Sequence, residues 1–174
     1  MVRERDEIVI RRAVSEDAPA LARVHVDAWR AAYRGLVPDE RLSKLSYARG
    51  EENFLRSMRE GPEETYAVEE AGAVVGFLTL GASRDADVDA KTVGEIWGVY
   101  LAPEHWRRGI GTRLCWHAEQ LLATRGCRSV VLWVFAENLQ ARCFYEAMGY
   151  APDGAAKQLD FGIPLEAVRY RRDL

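Results

Sequence analysis

The feature that most constrains this chain is a strand, a glycine turn, a long helix and a second strand in direct succession. "VGEIWGVYLAP" (93–103) is rich in strand formers and ends at Pro103, which cannot donate to a ladder. Residues 109–125 follow as a helix, with Leu114, Ala118, Leu121 and Leu122 on one face and Gly126 as its stop. "SVVLWVF" (129–135) is strongly apolar, as expected of a strand whose two faces are both covered. Such a strand asks for an α/β layout with a central sheet.

The remaining elements fit around this unit. "EIVIRRA" (7–13) reads as a first strand. "SEDAPALARVHVDAWRAAY" (15–33) reads as a helix, with Ser15 or Asp17 as cap, Pro19 in the first turn, and Leu21, Val24, Ala28 and Ala32 at helical spacing. "RGLVPDE" breaks it, and a second helix over 47–59 is stopped by Gly61-Pro62. "TYAVEE" and "AVVGFLTLG" flank Ala71-Gly72 as a hairpin. Residues 84–91 form a polar, acidic loop. "NLQARCFYEAMG" is a short helix closed by Gly149, and "YAPDGAA" and "AVRYRRDL" supply two last strands. The order β-α-α-β-β-β-α-β-α-β-β predicts a mixed sheet of about seven strands with about four helices.

With 174 residues, 48% apolar and 29% charged, the whole chain suits one domain with a real core. A net charge of −3 argues against binding a polyanion such as nucleic acid, and leaves only a local basic patch open. No apolar run approaches the ~20 residues of a membrane span. The start "MVRERDEIVIRR" has no apolar leader core, so the expected location is the cytoplasm, away from membranes. Cys115, Cys127 and Cys143 are too few and too scattered for a disulfide framework or a zinc site. His25, His105 and His117 show no metal-ligand spacing, so no metal is expected.

Chemistry is suggested first by "PEHWRRGIGTRL" (103–114). A helix N-terminus carries unpaired N–H groups and partial positive charge. Gly109 and Gly111 would let an anion approach that backbone, and Arg107 and Arg108 add charge beside it. The string is neither a P-loop nor a complete dinucleotide fingerprint, since Leu114 stands where the third glycine would be.

The stretch "GEIWGVYLAPEHWRRGIGTRL…NLQARCFYEAMGY" resembles the GCN5-related N-acetyltransferase (GNAT) family. That family has a strand, a proline-containing splay, an R/Q-x-x-G-x-G/A turn and a helix, then an N-x-x-A-x-x-F-Y-x-x-x-G-F/Y segment. Asn138, Ala141, Phe144, Tyr145, Gly149 and Tyr150 match the second segment in full. In the first, the R/Q position is Trp106, with the arginines one and two residues later. The backbone argument is unaffected, because it depends on the turn.

The resemblance implies a splayed central sheet and acetyl-CoA as acyl donor. Its pyrophosphate would sit on the amides of Arg107, Arg108, Gly109, Ile110, Gly111 and Thr112, and its pantetheine arm would pair with backbone near Val99 and Leu101. Asn138 would cap its helix, hold the coenzyme A arm, or do both. Tyr145 would protonate the leaving thiolate. Adjacent helix positions point about 100° apart, so the expectation is Phe144 in the core and Tyr145 toward the cofactor. Glu95 is the candidate base, because its alternation partners Trp97 and Val99 would turn it into the splay.

The acceptor pocket in this family draws on the first helices and the final hairpin. Trp29 and Tyr33, four residues apart on one helix face, are candidate pocket walls or core anchors. The acidic loop "SRDADVDAK" is either solvated or an attractor of a cation such as a polyamine. The leading expectation is acetyl transfer to a primary amine of a small molecule, such as an amino acid derivative, a polyamine or an amine-bearing toxin or antibiotic. Transfer to a protein N-terminus or lysine, and a non-catalytic acyl-CoA-binding module, are the alternatives. Family members often dimerise through late strands, and "AVRYRRDL" could serve a homodimer in that way, although nothing in the sequence demands one.

Overall fold

The structure, a computed structural model, describes residues 8–174. Residues 1–7, which include Glu7 of the expected first strand and the segment that argues against a leader, lie outside that range. Seven strands form one sheet: β1 (Ile8–Arg12), β2 (Glu64–Glu70), β3 (Ala73–Ala82), β4 (Val93–Leu101), β5 (Ser129–Phe135), β6 (Ala151–Asp160) and β7 (Pro164–Asp173). Their spatial order is β1-β2-β3-β4-β5-β7-β6. Neighbours run antiparallel except β4 and β5, which are parallel. A parallel pair needs a crossover, and here it is α4 (Ile110–Thr124).

The strongly apolar β5 is buried on both sides. Val130, Leu132 and Val134 pack with Ile110, Leu114, Ala118 and Leu122 of α4. Trp133 and Phe135, on the opposite face, pack with Val37, Leu42, Leu165 and Ala167. That second face is covered by α1 (Ala18–Ala32), whose Leu21 and Val24 meet Ala67 and Phe77, and by α3 (Tyr47–Glu60) through Phe54 and Met58. The β2–β3 hairpin turns at Ala71 (φ 51°) and Gly72 (φ 78°), the pair of positive φ values that a two-residue turn requires.

Three local expectations differ. Residues Ser15–Asp17 form a 3₁₀ turn; Asp17 stands at the N-cap position of α1, but its side chain makes no capping bond to the helix. Asp17 instead accepts from the Val14 N–H at 2.8 Å and from both terminal nitrogens of Arg11, at 2.7 and 2.8 Å. The stretch between the two expected helices contains α2 (Asp39–Ser43), so there are five α-helices among the described residues; five residues are too few to display a helical stripe. The final hairpin is longer than "YAPDGAA" and "AVRYRRDL", because β6 is largely exposed and carries no alternating apolar signal.

The expected splay is present. β4 pairs with β5 only from Val93↔Ser129 to Ile96↔Leu132. β4 then continues to Leu101 on β3, and β5 continues to Phe135 on β7. A register shift opposite Thr79/Leu80 leaves Trp97 as an extra residue in β4, and a bulge of this kind bends its strand. Among the described residues, no helix is long and apolar enough to cross a membrane.

The Arg11–Asp17 pair joins the entry of α1 to the edge of the sheet, since Arg11 also holds Glu69. The hydrogen bonds from Arg11 hold the Asp17 carboxyl below its usual range. A lowered folded pKa stabilises the fold above the unfolded value of about 3.9 and loses that effect as pH falls toward the folded value. Asp17→Ala is therefore expected to cost about 1–3 kcal/mol at pH 7. The gap to the parent protein in urea unfolding should narrow steadily below about pH 4.

Candidate active site

A cavity of about 630 Å³ opens where β4 and β5 part. Its floor is the splay itself, from Ile96 to Leu101 and from Leu132 to Phe135. The turn before α4 closes one end, α1 and β6 line the other, and α5 (Leu139–Ala147) lies between.

The turn has the geometry of an anion cradle. Arg107 (φ 59°) and Gly109 (φ 80°) are both in the left-handed region, and the space over Gly109 is open. The first bond into α4 runs from the Arg113 N–H to the Gly109 carbonyl, and no side chain caps the helix. The preceding N–H groups of Ile110, Gly111 and Thr112 thus have no helical partner. Arg107, Gly109, Gly111 and Thr112 line the cavity. Ile110 contributes backbone only, because its side chain is buried against Leu114 and the sheet.

Arg108 departs from expectation. Its guanidinium binds both oxygens of Glu70 on β2 and sits 2.9 Å from the His105 Nδ1, outside the cavity wall. Of the two arginines, Arg107 alone faces the cradle. Trp106, at the unmatched position of the turn pattern, donates its indole N–H to the Leu101 carbonyl at 2.8 Å. It pins the turn to the end of β4 and occupies one of the backbone groups expected for the pantetheine arm. Val99 and Leu101 both line the cavity.

Asn138 caps α5 through its side-chain oxygen, which accepts from the Ala141 N–H at 3.1 Å. Burial pushes the Tyr33 hydroxyl up, and the Asn138 side chain offsets part of that effect. Tyr145 lines the cavity at the splay, half-buried. Burial raises its pKa well above the ordinary phenol value, and no hydrogen bond from the chain contributes. The hydroxyl therefore stays protonated and is free to donate to a group that enters. The expected division between neighbours is not kept: Tyr145 also packs on the α4-side core, and Phe144 lines the cavity against Gly111. Helix α5 lies along the cavity wall, so two adjacent rings reach it.

Glu95 is the main correction. It is 1% exposed and is not part of the cavity wall. Its carboxylate accepts from the Arg84 N–H at 2.9 Å and from the Arg84 guanidinium, closest at 2.5 Å. The alternation argument fails at the Trp97 bulge. Val99 and Ile96 belong to the α4-side cluster, three residues apart instead of two or four, so Glu95 and Val99 end on opposite faces.

The acidic loop is also engaged internally. Arg169 of β7, 5% exposed, binds Asp85 and Asp87 of the loop and Asp153 of β6. Asp85 and Asp87 are thereby committed to Arg169, while Asp89 stays exposed. Cys115 is buried, Cys127 half-buried and Cys143 exposed, so the three are not alike. Burial pushes the Cys115 thiol up to about 12.

Trp29 and Tyr33 serve as both core and wall. Their rings meet edge-on at 4.5 Å, pack on the Phe135 cluster and line the cavity. Sequence reasoning missed Trp97, Tyr100, Trp133 and Phe161, which line it too. The aromatic density of "EIWGVY" and "VLWVF" was the available signal.

Residues 22–150 match the profile of the acetyltransferase (GNAT) family. The chain belongs to that family. It is 31% identical over 150 residues to the uncharacterized N-acetyltransferase YuaI of Bacillus subtilis, covering 86% of this chain and 83% of the relative. A probable N-acetyltransferase of Mycobacterium tuberculosis is 28% identical over 169 residues, covering 94% and 92%. Among solved GNAT structures, PaiA N-acetyltransferase of Thermoplasma acidophilum, in complex with coenzyme A, superposes with a TM-score of 0.72 at 22% identity, covering 97% of this chain and 99% of that one. A GCN5-related N-acetyltransferase of Rhodopseudomonas palustris superposes with a TM-score of 0.75 at 19% identity, covering 100% and 99%. These likenesses agree with the seven-stranded mixed sheet and identify an N-acetyltransferase fold.

A Cβ at Gly111 would stand 3.3 Å from the Phe144 ring, at the wall of the cradle. Gly111→Val is expected to weaken coenzyme A binding at least about tenfold, or ~1.4 kcal/mol, by calorimetry. A thermal melt should still report a folded chain.

Proposed function

We propose that this chain, acting as one domain, is an acetyl-CoA-dependent N-acetyltransferase that acetylates a primary amine of a small molecule. The observation that carries this reading is the convergence on one cavity of an uncapped helix N-terminus, a parted strand pair and a free Tyr145 hydroxyl. The residues fit the donor: the open space over Gly109 and the unpaired amides of 110–112 suit a diphosphate, with Arg107 as added charge. Unpaired backbone along Val99 suits an amide-bearing arm laid into the splay. Acetyl-CoA would supply an activated acetyl thioester: the amine nitrogen bonds the acetyl carbon, the C–S bond breaks, and one proton passes overall from nitrogen to sulfur.

The chain's own work is to hold, orient and move protons. Tyr145 donates its hydroxyl proton toward the sulfur and is held protonated by burial. On the α1 face, among the described residues, no Asp, Glu or His side chain lines the cavity. The acceptor therefore enters neutral or passes its proton to water. Glu95 is better read as a positioning residue that holds Arg84 and the start of the acidic loop. Protein acceptors are the second reading, and intact-mass shifts on protein targets would favour it. Thiol release across a panel of small amines tests the first.

Tyr145→Phe removes only the hydroxyl. It should leave acetyl-CoA affinity unchanged and lower kcat by about 10²–10⁴-fold when chemistry limits turnover. A wild-type kcat under those conditions removes Tyr145 from the mechanism.

Glu95→Gln should leave the shape of the kcat/KM pH profile unchanged, with an acid limb that follows the acceptor's own ionisation. A weakly basic and a strongly basic amine compared side by side should show limbs displaced by their pKa difference. Loss or displacement of the limb in Glu95→Gln alone would restore Glu95 as the base.

A further inference from the structure

The acceptor end of the cavity is built at the point where β4 and β5 part. The last paired residues are Ile96 and Leu132, and the next residue on each strand is a tryptophan, Trp97 and Trp133. Both line the cavity, one on each lip of the opening. The wall facing them is aromatic as well: Phe161 of the final hairpin lies 5.4 Å from Phe135 and 5.7 Å from Trp29, with Tyr33 4.5 Å from Trp29.

The charges around these rings narrow what can bind. Among the described residues, the single formally charged side chain in the cavity wall is Arg107, at the turn before α4. Arg84 lies 4.0 Å over the Trp97 ring and Lys157 3.7 Å over the Trp133 ring, while the Asp85 carboxylate takes the Trp133 indole N–H at 3.0 Å. Each indole thus already has a cation on a face. The nearby carboxylates are satisfied from within, Glu95 by Arg84 and Asp85 and Asp87 by Arg169. A polyamine or aminoglycoside would bring several positive charges to a wall with no carboxylate of its own, the nearest carboxylates being bound to Arg84 and Arg169 behind it. A flat uncharged body would bury apolar surface against rings that favour offset and edge-on contacts.

Trp133 is held as a fixed wall. Its indole N–H donates to Asp85 at 3.0 Å, and Asp85 is held at 3.1 Å by the buried Arg169. A clamped ring presents its remaining surface without the entropy loss of ordering a mobile side chain.

On the reading of the cavity as an N-acetyltransferase site, we infer that the acceptor is a primary amine carrying a single uncharged aromatic body. That body lodges between Trp97, Trp133 and Phe161, and the amine points into the splay toward Tyr145. Asp85 and Arg169 are the positioning residues that set the Trp133 wall.

The test uses the full chain with acetyl-CoA, 2-phenylethylamine and tryptamine as aromatic probes, and spermidine and n-butylamine as comparators. The expected result is a kcat/KM for the aromatic amines at least about tenfold above both comparators. Trp133→Ala should raise the KM for 2-phenylethylamine about tenfold or more while coenzyme A binding by calorimetry is unchanged. Trp133→Phe should recover most of the loss, and Phe161→Ala gives an independent readout should Trp133→Ala fail to fold. Spermidine or n-butylamine equal to or better than the aromatic probes overturns the inference. So does an unchanged KM in a folded Trp133→Ala, and so does failure of both aromatic probes to turn over in a protein that binds coenzyme A. Absence of coenzyme A binding and of thiol release with every amine would instead overturn the acetyltransferase reading beneath it.

Discussion

Everything distinctive about this molecule follows from the ending of one strand pairing. β4 and β5 share four residue pairs and then separate after Ile96 and Leu132. Past that point, backbone groups on two neighbouring strands lack their ladder partner, and such groups must be satisfied by water, a side chain or a ligand. β4 and β5 are the fourth and fifth of the seven strands in the sheet, so the opening lies at its centre and not at its rim. It joins the two faces of the sheet: the α4 turn reaches it from one side, α1 and the final hairpin from the other. A donor and an acceptor brought in from opposite faces would meet there.

Charge is arranged so that most of it is unavailable. Arg108 is committed to Glu70, Arg84 to Glu95, and Arg169 to three aspartates. These pairs hold the turn, the β3–β4 loop and the final hairpin in place around the cavity. What they leave is a site with Arg107 and free backbone amides at one end and aromatic rings at the other. In such surroundings burial governs titration. It pushes the hydroxyls of Tyr33, Tyr100 and Tyr145 up, and it lowers His25, packed among aromatic rings beneath Tyr100, to about 4. The tyrosines remain donors and the histidine remains neutral across the ordinary pH range.

The sequence by itself determined the order and kind of the major elements, the position of the splay and the glycine turn before α4. Periodicity names α1, α3 and α4, the apolar run names β5, and the two motifs around Gly109 and Tyr145 name the family. These are local properties: a helical stripe, a proline, a glycine with positive φ. Tertiary structure decided which side chains face the cavity. Glu95 and Val99 looked like alternation partners until one bulged residue reversed the alternation, and a bulge depends on the neighbouring strand and not on the string itself. Arg107 and Arg108 are equivalent in the sequence; only the position of Glu70, 38 residues earlier, separates the free one from the bound one. The acidic loop showed no internal partner in the sequence because its cation, Arg169, lies more than 80 residues away. Trp133 and Phe161 meet the site through a sheet order that places β7 between β5 and β6. Local pattern reports what a segment can form, while long-range contact alone decides which of its faces is left for a ligand.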